Sequence, residues 1–576
     1  MRTPLLASIA LAACAPTPVS APSRPVAHAP PTTAAAPATP ARFTPPPPGE
    51  RVLVLWTASV QGYVEPCGCT ADPLGGVARL AAAVHEARAA YGARLVLLDG
   101  GDLLFERAGD SGAADRCQAE ARADLLVGTL GRLGLAATTL GPLDEVRGPA
   151  FRDARLARAG IPTVGVGLPR ALGDGARTST RMLVDAGGVP VGVTGFTVER
   201  AAEVPTARAA LAQEVQALVR EGARAVVALA QAPRALTRDL TRGLPGLDAV
   251  LQGRAPGELP MAPEALRDED GVGPVLLAAG MQAQHLGALE LVLEGRAPGA
   301  VLALDDGAER VRARRHLLEV KAASLRSAIG SEPDPARRAF LDVRRATVQR
   351  ELDELEARAA DHASPAGPHL RAWSLPLPRG SAEEATAQAA LAAYQASVPA
   401  LVARCEAEAP CPEVAPGSAR YVGVAACAAC HAAALAFWSS QAVVRPSKDA
   451  QGNVVQRTVG HARAWDTLVA EGKDKDRSCV PCHAVGFGEP GGPCKTTDVV
   501  PGGFGGVQCE SCHGPGSAHV ATALKEHIVR APTEARCRAC HVVPHIATSE
   551  SFVFEDRRRL ILGPGHGLPL GMERAP

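Results

Sequence analysis

Four short segments repeat one arrangement of thiols and imidazole. They are Cys427-Ala-Ala-Cys430-His431, Cys479-Val-Pro-Cys482-His483, Cys509-Glu-Ser-Cys512-His513 and Cys537-Arg-Ala-Cys540-His541. Two thiols three positions apart can each add to one vinyl group of a porphyrin, and the adjacent His then lies under the iron as its proximal ligand. The pattern predicts four covalently attached c-type haems, held by those eight cysteines and ligated by His431, His483, His513 and His541. Two blander readings use the same residues. A zinc ribbon would be built from Cys-x-x-Cys pairs, and a disulfide scaffold from paired thiols, but neither has a use for a trailing His in every copy.

Such thioethers form outside the cytoplasm, so the chain must be exported. Residues 1–14 read as the means. Arg2 precedes a short apolar run from Leu5 to Leu11, too short to span a bilayer and of signal-peptide type. The run ends in Leu11-Ala12-Ala13-Cys14, which resembles a bacterial lipoprotein box. The resemblance implies cleavage before Cys14 and lipidation of its thiol, with an ordinary secretory signal as the other reading. The expected place is the periplasmic side of the cell envelope, anchored by the lipid, and Ala15 after the lipid cysteine points to the outer membrane. No later stretch is apolar and long enough for a second span.

Composition narrows the partners. Lys+Arg and Asp+Glu are equal at 60 each, giving a formal net charge of zero, so a polyanionic partner has no electrostatic footprint. Aromatic residues are only 3%, which argues against a nucleic-acid-stacking surface. The expected partners are redox proteins and a membrane. Residues 15–49 are a Pro/Ala-rich linker, with Pro45 to Pro48 unbroken, of the kind that favours polyproline II and buries no core.

From residue 50 the pattern changes to alternating short apolar runs and helical periodicity. Strands are expected at 52–56, 95–98, 136–140, 163–166, 189–196, 225–229, 249–251, 274–279 and 289–293. Helices are expected at 74–91, 117–133, 206–221 and 234–242. This is an α/β domain with helices outside a sheet sandwich, ending near residue 295. A helical linker or coiled coil follows over 305–410: a helical hairpin or short coiled coil from 309–329 and 335–360, a Pro/Gly loop near 364–380 and a further helix at 382–407. Its charges read most simply as a solvated face, with a homodimer seam as the other reading. The haem region occupies 420–576 and is expected to be mainly helical.

The α/β landmarks resemble the 5'-nucleotidase branch of the calcineurin-like metallophosphoesterases. They are Leu98-Asp99-Gly100-Gly101-Asp102, Leu140-Gly141-Pro142-Leu143-Asp144, and Leu247-Asp248 through Gly253-Arg254. The family's Asp-x-His reads Ser59-Val60-Gln61 here, its Gly-Asn-His reads Gly141-Pro142-Leu143, its mid-domain His falls at Gln231, and its Gly-His-x-His reads Gly253-Arg254-Ala255-Pro256. Only Asp102 matches a metal ligand. A two-metal centre needs about six to eight donors, so the expectation is a scaffold that has lost its metal chemistry. Cys67-Gly68-Cys69 looks like a cysteine-bearing offshoot of that family, often fused to haem domains. Six cysteines remain after haem and lipid: Cys67, Cys69, Cys117, Cys405, Cys411 and Cys494. Their pairing is open. Cys67 or Cys69 could meet Cys117 or hold a soft metal, and Cys405 with Cys411 could clamp the last linker helix.

The haem region resembles the multihaem cytochrome c-554 family. The residues that carry this are Tyr421-Val422-Gly423, Gly460-His461-Ala462-Arg463-Ala464-Trp465 and the long run Gly506-Val507-Gln508-Cys509-Glu510-Ser511-Cys512-His513-Gly514-Pro515-Gly516-Ser517-Ala518-His519. The resemblance implies closely packed haems that carry electrons. Spare imidazoles are His461, His519, His527, His545 and His566, with Met572 the only methionine of the region. Five spare His for four irons allows bis-His ligation throughout. His461 and His519 match family contexts, glycine-flanked His566 comes next, then His545; His527, in a charged helical stretch, reads as a surface residue. The chain is thus expected to be a membrane-tethered tetrahaem electron carrier with no catalytic residue of its own. The alternatives are a small-molecule redox enzyme at a haem lacking a sixth ligand, and a residual metal-dependent phosphoester (nucleotide) hydrolase.

Overall fold

The computed structural model describes residues 42–66, 73–106, 113–168, 175–254, 261–331, 334–360, 365–441, 443–448, 454–541 and 552–563. The expectations at Cys14, Cys67, Cys69, His545, His566 and Met572 lie outside these residues. Among the described residues, no helix is long and apolar enough to cross a membrane.

The N-terminal body is built on two sheets. In chain order the strands are β1 (Arg51–Thr57), β2 (Leu95–Asp99), β3 (Leu135–Thr138), β4 (Thr163–Val164), β5 (Thr178–Ser179), β6 (Arg181–Asp185), β7 (Pro190–Thr197), β8 (Ala225–Gln231), β9 (Ala249–Gln252), β10 (Met261–Ala265), β11 (Val275–Ala278), β12 (His285–Val292), β13 (Ala303–Leu304) and β14 (His369–Pro376). One sheet runs β13-β14-β12-β1-β2-β3-β4-β5 and the other β10-β11-β9-β8-β7-β6. The alternation of β1 shows how they stack. Val52, Val54 and Trp56 face the second sheet and meet Val191, Val193, Val227 and Leu229. Leu53 and Leu55 face outward onto α1 (Val77–Tyr91) and α2 (Ala113–Arg132). The outer face of the second sheet carries Val226, Ala228 and Val250 against α4 (Val204–Arg220) and α5 (Arg234–Thr241), with α3 (Pro149–Arg158) beside the first. A period of two thus produces four layers, helix, sheet, sheet, helix.

The sheet does not end at residue 295. The segment expected as a Pro/Gly loop near 364–380 contains β14, which pairs antiparallel with all eight residues of β12, from His285 opposite Pro376 to Val292 opposite His369. Its alternation is short and lies between prolines and glycine, yet it buries Leu370 and Ala372. The helix after it, α8 (Ala385–Glu408), packs on α1 and α2 through Ala387, Tyr394, Val398 and Val402. So only part of 305–410 is a linker. That part is the expected antiparallel hairpin, α6 (Gly307–Ser331) with α7 (Pro335–Ala360), closed by Leu318, Ala322 and Leu325 against Val348 and Leu352.

The disulfides correct a second expectation. Cys405 and Cys411 do not clamp one helix. Cys117 bonds Cys405, Cα atoms 6.1 Å apart, joining α2 to α8. Cys411 bonds Cys494, Cα atoms 5.6 Å apart, joining the tail of α8 to the haem region. A sequence separation of 288 residues for the first bond hid the pairing, because connectivity follows the fold and not spacing.

The C-terminal region is short helices with little regular backbone: α9 (Val424–Ala428), α10 (Ala432–Ser440), α11 (Ala464–Ala470), α12 (Val480–His483), α13 (Cys509–His513), α14 (Ser517–Thr522), α15 (Glu534–Arg538) and α16 (Phe554–Ile561). A two-stranded ribbon, β15 (Val443–Lys448) with β16 (Val454–Val459), was not anticipated.

Gly287 on β12 offers a test of the sandwich. A Cβ there would lie 2.3 Å from Trp56 Cε2, and Trp56 is buried between the sheets. Gly287→Val is expected to destabilise the N-terminal body by roughly 1–3 kcal/mol, read as a lower urea midpoint by circular dichroism.

Candidate functional site

Each Cys-x-x-Cys-His segment folds as a helical turn. In the first, His431 N–H donates to Cys427 O at 3.0 Å, and in the fourth, His541 N–H donates to Cys537 O at 2.9 Å. The second and third lie in α12 and α13. Positions i, i+3 and i+4 of a turn share one face, so both sulfurs and the imidazole of each segment point the same way. All eight cysteines are free of disulfides. Among the described residues, no three Cys, His, Asp or Glu side chains converge on one point, the arrangement a tetrahedral zinc site requires.

The spare imidazoles fall beside the proximal ones. The His431 and His519 ring centres are 6.3 Å apart with planes 26° from parallel. Those of His461 and His541 are 5.8 Å apart at 73°. Two imidazoles on opposite sides of one metal ion, each nitrogen about 2 Å from it, have ring centres about 6 Å apart. Trp438 stacks on His461 at 5.3 Å and Phe552 on His541 at 5.0 Å. Burial, then the neighbouring His541, lowers the pKa of His461, which favours a neutral ring with a lone pair.

Backbone carbonyls aim three of the other rings. Nδ1 lies 2.6 Å from Ala464 O in His483, 2.6 Å from Val529 O in His513 and 2.8 Å from Leu524 O in His519. A carbonyl cannot donate, so Nδ1 carries the proton and Nε2 keeps its lone pair for a metal. His527 instead bonds Thr522 Oγ1 at 2.8 Å on the exposed surface, as the sequence suggested.

What holds the turns together is polar. Glu510, inside the third segment and buried, accepts the N–H groups of Val422 at 3.0 Å, Gly423 at 2.7 Å and Gly516 at 2.7 Å. Gln508 accepts Val424 N–H at 2.8 Å and donates to Gly503 O at 2.7 Å. These two residues fasten the entry to the first segment onto the third. The neighbouring Cys509 raises the Cys427 thiol, and Cys427 lowers that of Cys509 to about 7. Arg536, before the fourth segment, donates to Ser511 O at 2.7 Å and to Glu489 at 2.9 Å. Sequence reasoning passed over Glu510, Gln508 and Arg536; the signal was a charged or amide residue inside or just before a Cys-x-x-Cys.

The residues present fit a porphyrin. The apolar core of this region is small: Trp465, Leu468, Val480, Ala484, Phe487 and Val499. Val520, Leu524, Val529 and Val553 are about half exposed, beside the His519, His513 and fourth-segment turns. Covalent planar apolar groups would bury such side chains.

The crevice of the α/β body does not fit two metal ions. Ser59, Gln61, Asp102 and Gln282 adopt left-handed φ values of 43°, 57°, 51° and 55°, and their loops are closed by bonds within the protein. Ser59 Oγ donates to Gly253 O at 2.7 Å, Gln231 Nε2 donates to Gly100 O at 2.7 Å, and Arg254 pairs with Glu199 at 2.6 Å. Asp144 accepts four backbone N–H groups, from Asp102, Leu103, Leu104 and Gly141. Burial, then the charge of Asp144, pushes Asp102 up to about 7. A carboxyl whose folded pKa exceeds its unfolded value of about 4 holds its proton more tightly when folded, so stability falls as pH rises from about 4 through 7. Asp102→Asn is expected to flatten that fall and to gain on the order of 1–3 kcal/mol at pH 8, measured by thermal unfolding across pH.

Known proteins resemble the two parts of the chain separately. Residues 426–514 match the model of the family described as cytochrome c554 and c-prime. A curated relative, cytochrome c-554 of Nitrosomonas europaea, is 34% identical over 98 residues, 17% of this chain and 40% of the relative; the chain thus spans less than half of that relative's length. Among solved structures, a 5'-nucleotidase precursor from Thermus thermophilus is 16% identical with a TM-score of 0.41, covering 76% of this chain and 74% of the other. A calcineurin-like phosphoesterase from Bacillus subtilis is 17% identical with a TM-score of 0.30, covering 42% and 85%. Residues 426–514 are therefore similar to the cytochrome c554 and c-prime family, joined in this chain to an α/β sandwich.

Proposed function

We propose that this chain is an exported tetrahaem c-type cytochrome that carries electrons between redox partner proteins. The observation that carries the reading is the pairing of imidazoles, His431 with His519 and His461 with His541, beside thiols free to form thioethers. Haem iron supplies the chemistry by gaining and losing one electron. The chain's own part is to attach, ligate and insulate. Eight cysteines would hold the porphyrins, with His431, His483, His513 and His541 as the adjacent ligands. His519 and His461 would supply the second ligands of the first and fourth haems, and His566 and His545 would complete the set. The α/β body serves as a scaffold without phosphoester chemistry. Lipid on Cys14 tethers the chain to the membrane, on the periplasmic side of the outer membrane, and the α6–α7 hairpin offers a seam for a second copy.

Haem quantitation with carbon monoxide titration tests the reading. Material from a host that matures c-type cytochromes should contain four haems per chain, and its reduced spectrum should not shift with carbon monoxide. A shift in the parent protein would instead favour small-molecule chemistry at an open iron. His519→Ala and His461→Ala should each open one iron, giving a shift of about a quarter of the haem absorbance. The tether has its own check: Cys14→Ser should move the protein from the membrane to the soluble envelope fraction.

A further inference from the structure

We propose that Arg477 and Gln118 are positioning residues that bolt the second Cys-x-x-Cys-His turn to the α/β sandwich, so that the sandwich sets the potential of the haem held by Cys479, Cys482 and His483. The proposal rests on the electron-carrier reading above and adds a role for the sandwich within it.

The segment before Cys479 is a buried polar seam. Gln118, on α2, uses both ends of its amide: Nε2 donates to Asp476 Oδ1 at 2.6 Å, and Oε1 accepts Arg477 N–H at 3.0 Å. Arg477 joins three separate segments. It donates to Asp115 on α2 at 2.7 Å, to Glu406 on α8 at 2.7 Å, and to Cys494 O at 3.0 Å. Its guanidinium lies 4.7 Å from the Phe487 ring centre. Glu406 also accepts Thr496 N–H at 2.9 Å. Lys473 pairs with Glu65 at 3.3 Å.

This seam runs directly into the haem turn. The carbonyl of Asp476 accepts Cys479 N–H at 2.9 Å and Val480 N–H at 3.0 Å, so the residue gripped by Gln118 also starts α12. Cys411–Cys494 fastens the other flank of the same turn. The first, third and fourth turns are tied to one another through Glu510, Gln508 and Arg536. The sandwich therefore acts on the second turn, and the seam charges Arg477 and Asp115 would neighbour the haem that this turn holds. Oxidised haem carries one more positive charge than reduced haem, so a nearby cation raises the potential and a nearby carboxylate lowers it, with an effect that fades over the screening length.

The test is spectroelectrochemical titration of the full haem-loaded chain. Arg477→Met removes a cation and is expected to lower one midpoint potential while leaving the others in place. Asp115→Asn removes a carboxylate and is expected to raise that same potential; buried Arg477 keeps Glu406 as its partner at 2.7 Å, so no buried charge is left unpaired and the variant keeps the proposal testable if Arg477→Met does not fold. Arg477→Lys should recover part of the shift. Mere loosening of the seam would move both variants in one direction. Unchanged potentials in variants with a full haem complement, or shifts of one sign in both, would overturn the proposal. A parent protein without haem would instead sink the electron-carrier reading itself.

Discussion

The haem region depends on one buried carboxylate. Glu510 gathers N–H groups from Val422, Gly423 and Gly516, three donors from two segments far apart in the chain. Bonds to a charged acceptor contribute about 1.5–3 kcal/mol each when buried. A region whose described apolar core is six residues cannot be ordered by apolar burial alone. Polar pins therefore set where the attachment turns lie, and the porphyrins are left to fill the space between. The same logic explains Gln508 and Arg536, each of which bonds the backbone of a neighbouring turn.

The α/β sandwich is organised by the opposite principle. Its strands β8, β9 and β11 are buried along their length, as sheets covered on both faces require. Its strand ends carry buried polar side chains that bond to the backbone. Ser59, Gln231 and Asp144 reach Gly253, Gly100 and the 102–104 loop. Polar residues at the ends of strands thus stabilise loops here. What the sandwich contributes lies at its edge, where α2 and α8 meet the seam before Cys479.

Much of this was legible in the sequence. The four Cys-x-x-Cys-His segments follow from spacing alone, and the long strands and helices follow from apolar period, as in β1, β8 and α4. Two spare imidazoles, His461 and His519, were singled out by their neighbours, and the fold sets them beside His541 and His431. Less legible was β14, whose alternation is short and flanked by Pro and Gly, so that only pairing with β12 makes it a strand. The disulfides were illegible because Cys117 and Cys405 meet only after α8 has crossed α2. Glu510 was illegible for a related reason: a carboxylate inside a motif looks solvated until the fold brings amides to it.

The neighbouring thiols of Cys427 and Cys509 carry a consequence for how the protein is made. Among the described residues, four cysteines end as two bridges and eight stay outside any disulfide, so both kinds of thiol chemistry meet in one chain. Were the chain to reach its final shape before receiving its porphyrins, an oxidant able to form Cys117–Cys405 would find Cys427 and Cys509 side by side and join turns that belong to different haems. Biogenesis therefore has to run in order, with thioether formation ahead of, or shielded from, the oxidation that closes the bridges.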